Sequence, residues 1–154
     1  MAAEEGKKAP AFSLAGHDGK KHALKDHLGS PVVVYFYPRD STPGCTTEAC
    51  DFRDNMARLT KKGAVVYGIS KDSLASHTKF AEKFDLPFVL LSDPDKKVHD
   101  KYGAWGEKKL YGKVTEGVIR STFLIDENGK IAKAWRNVRV KGHVDAVLAA
   151  LDAL

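Results

Sequence analysis

Two cysteines, at positions 45 and 50, are the residues whose type and spacing point most directly to chemistry. Ser41 or Thr42 can cap a helix just before Cys45, and Pro43 suits the first position of that helix. Cys45 would then lie in the first turn, where free backbone N–H groups and the positive end of the helix dipole stabilise a thiolate. A reactive thiol is one interpretation. A buried core residue is the other, because Cys45 also begins an apolar stripe along the helix.

The spacing of the two cysteines limits what they can do together. In an ideal α-helix, five residues give about 500° of rotation and about 7.5 Å of rise, so the two Cα atoms lie about 8–9 Å apart. A disulfide needs about 4.4–6.8 Å. A disulfide between Cys45 and Cys50 would therefore require the first turns to unwind, which helix ends allow at low cost. Cys50 leaves the apolar stripe, so we expect it nearer to solvent.

The elements that position this turn follow from hydrophobic periodicity. They are a hairpin at 12–15 and 21–24, strands at 32–37, 64–69 and 88–91, helices at 43–62, 73–84, 96–102 and 142–154, a loop at 103–117, and a hairpin at 118–125 and 131–135. The β-α-β-α-β order gives parallel strands through right-handed crossovers, and the late hairpin adds an antiparallel edge. We expect an α/β, thioredoxin-like fold with a mixed central sheet, helices on both faces and an N-terminal β-hairpin, as a single domain over residues 1–154.

Composition excludes several other classes of protein. The chain has 154 residues, a formal net charge of +5, 43% hydrophobic and 29% charged residues, as in soluble globular proteins. Two cysteines are too few for a disulfide-rich scaffold or a four-thiolate zinc site, and the six histidines are scattered, so no metal site is predicted. The polar N-terminus and the lack of an apolar run of about 20 residues predict a cytoplasmic protein with no membrane span. No basic-and-aromatic motif predicts nucleic-acid binding.

The segment Pro38-x-x-x-Thr42-x-x-Cys45 resembles the active-site motif of peroxiredoxins. Cys50 at this spacing is similar to the Q-type, or bacterioferritin comigratory protein, subgroup. The likeness extends over nearly the whole chain. Further matching segments are Arg53-Asp54, Gly68-Ile69-Ser70, Leu90-Leu91-Ser92-Asp93, Trp105-Gly106-Glu107-Lys108 and Arg120-Ser121-Thr122-Phe123. No single segment is decisive, but their combination is specific.

This resemblance implies a thiol peroxidase that reduces hydrogen peroxide and organic hydroperoxides. Cys45 would be the peroxidatic cysteine, whose thiolate is oxidised to a sulfenic acid. Cys50 would be the resolving cysteine, which forms an intramolecular disulfide with it. A thioredoxin or glutaredoxin-like reductant would then restore both thiols. The resemblance also implies a monomer that uses no metal, haem or flavin cofactor.

The same resemblance gives roles to the neighbours of Cys45. Peroxide cleavage builds negative charge on the leaving oxygen, and donors must already be in place to stabilise it. The Thr42 hydroxyl and the N–H groups of Gly44 and Cys45 are the nearest donors in sequence. Arg120 is the expected cation, because it opens a strand predicted to lie beside the strand that leads to Cys45. Pro38 is expected to shield the thiolate from water.

Each of these residues also has an ordinary structural interpretation. Thr42 can serve only as a helix cap, and Arg120 can be a strand-end arginine. Arg39, Arg53 and Arg58 are rival cations close in sequence. Glu48 lies three residues after Cys45, where an unpaired carboxylate would disfavour a thiolate. We therefore expect Glu48 to pair with an arginine.

The roles of two basic segments remain undecided between alternatives, and two other functions remain possible for the chain. The glycine-rich segment 103–117 can line the pocket or contact the reductant, but a surface loop with Trp105 and Tyr111 packed on the core is the simpler interpretation. Segment 130–141 has five basic residues and no acidic residue, which fits an acidic partner or a solvated hairpin. A peroxide sensor or thiol-transfer protein would use the same two cysteines. A non-catalytic basic binding module would use neither.

Overall fold

We analysed a computed structural model, which describes residues 3–154 and, within that range, every side chain except those of 108–110. The strands are β1 (Ser13–Ala15), β2 (Lys21–Ala23), β3 (Val32–Phe36), β4 (Val65–Ser70), β5 (Val89–Ser92), β6 (Trp105–Leu110), β7 (Lys113–Val118), β8 (Ser121–Ile125) and β9 (Ile131–Arg136). The helices are α1 (Pro43–Asp54), α2 (Met56–Lys61), α3 (Leu74–Phe84), α4 (Lys97–Tyr102) and α5 (His143–Asp152), with a 3-10 helix at Leu24–His27.

The central sheet has five strands in the order β5-β4-β3-β8-β9, with parallel pairs on one side of β3 and antiparallel pairs on the other. The expected mixed sheet, helices on both faces and N-terminal β1–β2 hairpin are therefore confirmed. Phe36, the last residue of β3, lies opposite Ser121, the first residue of β8. This register brings Arg120 to the edge where β3 leads into the turn before α1.

Side chains of β3 alternate between two buried clusters, as the period of two in a strand requires. Tyr35 joins a cluster with α1, α2, α3 and α5, whereas Phe36 joins the opposite cluster with α4 and the N-terminal segment. Cys45 and Phe52 belong to the first cluster, so the apolar stripe of α1 faces the sheet. The Cys45 thiol therefore lies in the first turn of α1, packed against β3.

The predicted loop at 103–117 is wrong, because β6 and β7 pair there as an antiparallel hairpin. Tyr111 and Gly112 form its tip with φ of 54° and 78°, the pair of positive values that a tight two-residue hairpin turn requires. The four glycines of the segment obscured the strand signal. Trp105 packs on the core, as expected, whereas Tyr111 is 96% exposed.

The single helix predicted at 43–62 is divided at Asn55 into α1 and α2. Asn55 has φ −111° and ψ 9°, and its side-chain amide donates to the Asp51 carbonyl at 2.8 Å. Asparagine side chains compete with the backbone in this way, which makes them poor residues for a helix interior. Within the described residues, no helix has the length and apolar character needed to cross a membrane.

Candidate active site

The turn between β3 and α1 brings the head of α1 to the carboxyl end of a central strand. Half-buried Pro38 begins this turn, and Ser41 has a positive φ of 63°. Thr42 stands at the N-cap position with extended backbone, and Pro43 occupies the first turn of α1, as predicted. The predicted side-chain cap is wrong, since no side chain caps α1 and the Thr42 hydroxyl donates to the Arg39 carbonyl at 2.9 Å.

Cys45 lies in the first turn of α1, with 1% of its surface exposed. The guanidinium of Arg120 donates a hydrogen bond from Nη2 to Cys45 Sγ at 3.3 Å. A side chain at position 44 would crowd this arrangement, because a Cβ on Gly44 would lie 3.3 Å from Arg120 Nη2 and the guanidinium would have to shift slightly. Glycine at this position therefore allows the arginine to approach the sulfur.

Glu48 lies one turn further along α1 and shares the same arginine. Arg120 Nη1 donates to Glu48 Oε1 at 2.7 Å, and the Glu48 side chain is fully buried. The expected pairing of Glu48 with an arginine is thus confirmed. Glu48 Oε2 and the buried Tyr35 hydroxyl make no hydrogen bond to the part of the chain that the structure describes.

The charges at this site alter one another. Burial raises the pKa of Glu48 to about 7, although the positive charge of Arg120 acts to lower it. Burial acts to lower the pKa of Arg120, but Glu48 and the thiolate of Cys45 outweigh it and raise that pKa. Burial also raises the pKa of Tyr35, and the negative charges of Glu48 and Cys45 add to the effect. A positive charge is therefore kept beside the sulfur, while the carboxyl can take up a proton near neutral pH.

The other candidate arginines do not contact Cys45 among the described residues. Arg39 is exposed. Arg53 donates to Asp54 and to the Phe84 carbonyl, and Arg58 lies 3.4 Å from the side-chain oxygen of Asn55. Sequence proximity would have favoured these three, whereas sheet register brings the distant Arg120 to the thiol.

Cys50 is half-buried on α1, as expected, and both cysteines are free thiols. The helix runs without interruption from Pro43 to Asp54, so both thiols lie in regular helix. The helical spacing of about 8–9 Å between their Cα atoms exceeds the range of a disulfide. Any disulfide between them therefore requires α1 to open.

His143, the first residue of α5, contacts β8 just after Arg120, and the sequence prediction missed this contact. His143 Nε2 lies 2.7 Å from the hydroxyl of Thr122, and the Val138 N–H donates to the Arg120 carbonyl at 2.9 Å. Burial lowers the pKa of His143 to about 4, with a further contribution from the charge of Arg120. The only sequence signal was a histidine at the first position of an otherwise apolar helix face.

Asp40 anchors the turn from the other side. Its carboxylate accepts from the Tyr37 hydroxyl at 2.6 Å and the Ser76 hydroxyl at 2.8 Å, and lies 2.7 Å from His77 Nδ1. The Asp40 N–H donates to Asp72 at 2.8 Å. Asp40, Asp72 and His77 are close enough to hold a metal ion, but their polar atoms already bond to one another and to neighbouring hydroxyls. This cluster was not predicted.

Comparisons with known proteins agree with this geometry. Residues 6–134 match the family described as AhpC/TSA family. Peroxiredoxin Bcp of Bacillus subtilis is 48% identical over 151 residues, which cover 98% of this chain and 96% of that protein. Peroxiredoxin Bcp of Escherichia coli is 48% identical over 140 residues, which cover 91% of this chain and 90% of that protein.

Solved structures show the same similarity. The bacterioferritin comigratory protein of Xanthomonas campestris, described for its alkyl peroxide reduction activity and trapped intermediate and ligand complexes, superposes with a TM-score of 0.91 at 42% identity. The match covers 97% of this chain and 98% of that chain. A PrxQ variant of Xylella fastidiosa superposes with a TM-score of 0.92 at 34% identity, over 99% of this chain and 98% of that chain.

Proposed function

The chain belongs to the AhpC/TSA family and is a thiol-dependent peroxidase of the peroxiredoxin Q, or bacterioferritin comigratory protein, group; we propose that Cys45 is its peroxidatic thiol and Cys50 its resolving thiol. The observation that carries this assignment is the contact between Arg120 Nη2 and Cys45 Sγ at the first turn of α1. The same cation that stabilises a thiolate can also bind the peroxide oxygens that approach it.

In the first step, the Cys45 thiolate attacks one peroxide oxygen and the O–O bond breaks. The sulfur becomes a sulfenic acid, and the second oxygen takes up a proton and leaves as water or an alcohol. Arg120 follows the negative charge from sulfur to the leaving oxygen. The further donors that we propose are the N–H groups of Gly44 and Cys45, which have no acceptor inside the helix, and the Thr42 hydroxyl once it releases the Arg39 carbonyl.

Pro38 and Glu48 act on this step indirectly in our proposal. Pro38 packs at the start of the turn and limits access of water to the sulfur. Glu48 fixes the orientation of the guanidinium through its 2.7 Å contact with Nη1. Pro43 sets the backbone direction that starts α1 in front of Cys45.

In the second step, α1 opens and the Cys50 thiol condenses with the sulfenic acid, which releases water and forms the disulfide. A dithiol reductant of the thioredoxin or glutaredoxin type then reduces this disulfide to two thiols. The substrates that we propose are hydrogen peroxide and organic hydroperoxides, in line with the alkyl peroxide reduction described for the Xanthomonas campestris protein. We also propose that the chain works as a monomer in the cytoplasm.

Peroxide consumption with a thioredoxin system tests these roles in wild type, Cys45→Ser and Cys50→Ser. We expect Cys45→Ser to be inactive and Cys50→Ser to be oxidised once and then turn over poorly. Far-UV circular dichroism of the same samples tests the opening of α1. Peroxide should reduce the helical signal of wild type but not that of Cys50→Ser, which cannot form the disulfide.

Two results would contradict the proposal. Full activity of Cys45→Ser would exclude Cys45 as the peroxidatic thiol. An unchanged dichroism spectrum in wild type with a disulfide confirmed by mass would exclude the opening of α1. Slow peroxide reduction together with a trapped mixed disulfide to another protein would instead indicate a peroxide sensor or thiol-transfer protein.

A further inference from the structure

A solvent-open groove of about 510 Å³ lies between β9 and the start of α5. We call it the basic groove, and its cations are Lys133, Arg139 and Lys141. No acidic residue lines it. These three side chains form no ion pair with the part of the chain that the structure describes. Their charges are thus available to a partner.

Arg136 also lines the basic groove, but it is used within the fold. Its guanidinium donates to the backbone carbonyls of Tyr102, Gly103 and Ala3. By contrast, Lys133, Arg139 and Lys141 are exposed and hold no backbone group in place. Trp135 lines the same groove and packs edge-on against His143, at 5.5 Å between ring centroids. Tryptophan and arginine are enriched at protein interfaces, and the rim of such interfaces is polar.

The basic groove adjoins both halves of the active site. Gly142 lines it and also lines a neighbouring depression with Asn55 and with Asp51, the α1 residue directly after Cys50. On the other side, Val138 of the groove donates its N–H to the carbonyl of Arg120. A transient redox partner that covers an exposed disulfide on α1 buries up to about 600 Å² of this chain. A footprint centred on the depression of Asp51 and Gly142 reaches the groove, because Gly142 lines both.

We propose that the basic groove is the docking surface for acidic side chains of the protein dithiol that reduces the Cys45–Cys50 disulfide. The inference rests on the proposed function, because it needs that disulfide to form. Complementary charge speeds encounter and orients the partner. Asp51 and Asp145 line the neighbouring depression, so the complementary charge for acidic side chains lies in the basic groove and not in that depression.

The test compares two triple variants with the same change in net charge. Lys133→Glu, Arg139→Glu and Lys141→Glu reverse the groove, whereas Lys20→Glu, Lys25→Glu and Lys79→Glu reverse exposed lysines on elements that do not line it. Turnover is measured with thioredoxin and with glutaredoxin, at about 20 mM and about 200 mM salt. Dithiothreitol, an uncharged dithiol, is measured in parallel.

We expect the groove variant to raise the KM for the protein reductant about tenfold at low salt, with a much weaker salt dependence than wild type. Its turnover with dithiothreitol should equal that of wild type, and the control variant should stay within about twofold. An equal KM in the two variants would overturn the proposal. Turnover with dithiothreitol but with neither protein would overturn it too, whereas no turnover of wild type with any reductant would instead contradict the peroxidase assignment.

Discussion

Two buried acidic residues, Asp40 in the turn before α1 and Glu48 within α1, have different surroundings. Both carboxylate oxygens of Asp40 have partners, from Tyr37, Ser76 and His77. Only one oxygen of Glu48 has a partner within the described residues, and that partner is Arg120. Asp40 and Glu48 are only eight residues apart in sequence. The carboxylate of Asp40 belongs to a complete hydrogen-bond network, and that of Glu48 belongs to an incomplete one.

This difference distinguishes a pair that supports the structure, Asp40 with His77, from a pair that takes part in the chemistry, Glu48 with Arg120. A fully satisfied buried network fixes one conformation, because every alternative leaves a polar group without a partner. The Asp40–His77 pair therefore fixes the turn, and we expect it to do so during the proposed opening of α1 as well. Glu48 and Arg120 keep capacity to change partners, which a site needs when charge moves between sulfur and oxygen. Breaking each pair in turn tests this division.

Loss of the Asp40–His77 pair should have the largest effect on stability. His77→Phe leaves the buried carboxylate of Asp40 without its ring partner, so we expect the free energy of unfolding to fall by about 3–5 kcal/mol. Urea denaturation followed by circular dichroism measures it. His27→Phe is a matched control at a half-buried histidine outside this network. A loss of under about 1 kcal/mol would show that the network does not anchor the turn.

Loss of Arg120 should affect activity more than stability. Arg120→Met removes the donor to Cys45 Sγ, so we expect kcat/KM for peroxide to fall about 10²–10³-fold. The fall in unfolding free energy should be smaller than for His77→Phe, because Glu48 can take up a proton when its cation is lost. Stopped-flow oxidation and urea denaturation measure the two quantities. Arg58→Met, at an exposed arginine, is the control. Equal destabilisation by His77→Phe and Arg120→Met would contradict the proposed difference between the structural pair and the catalytic pair.

The smallest expected effect is a change in the pH dependence of the unfolding free energy. Because the pKa of Glu48 rises from 4.5 to about 7 on folding, the folded state holds this proton more tightly than the unfolded state. The contribution of Glu48 to stability therefore falls as pH rises through that window. We expect the unfolding free energy of Glu48→Gln, relative to wild type, to increase from pH 4.5 to 7. The depressed pKa of His143 acts in the opposite direction in both proteins and cancels in the difference.

A flat difference between wild type and Glu48→Gln across this window would mean that Glu48 is ionised throughout. In that case, Arg120→Met should destabilise the protein as much as His77→Phe. The pH series and the two substitutions therefore check each other.

The sequence predicted those features that depend on local pattern. The buried strand, Pro43 at the helix start and Cys45 in the first turn follow from residue types within a few positions. The pairing of β3 with β8, and with it the location of Arg120, followed from the order of the elements. The two-residue turn at Tyr111-Gly112 was missed because tyrosine rarely adopts a positive φ.

The Asp40–His77 network was beyond prediction for a different reason. Asp40 reads as an ordinary turn residue and His77 as one polar position in a helix. Their contact spans 37 residues of sequence and depends on how α3 packs on the sheet. Nothing in the local pattern of either residue indicates the other. Likewise, the half-satisfied state of Glu48 depends on burial, which composition does not reveal.

The break at Asn55 limits how far along the chain the proposed opening of α1 can extend. Asn55 ends α1, and Arg53 ties its last turn to the Phe84 carbonyl at 2.8 Å. The proposed opening of α1 therefore involves at most twelve residues, because the helix ends at the break before α2. A short opening limits the apolar surface that each oxidation would uncover, since Ala49 and Phe52 of α1 are core residues, and so limits the exposure that leads to aggregation.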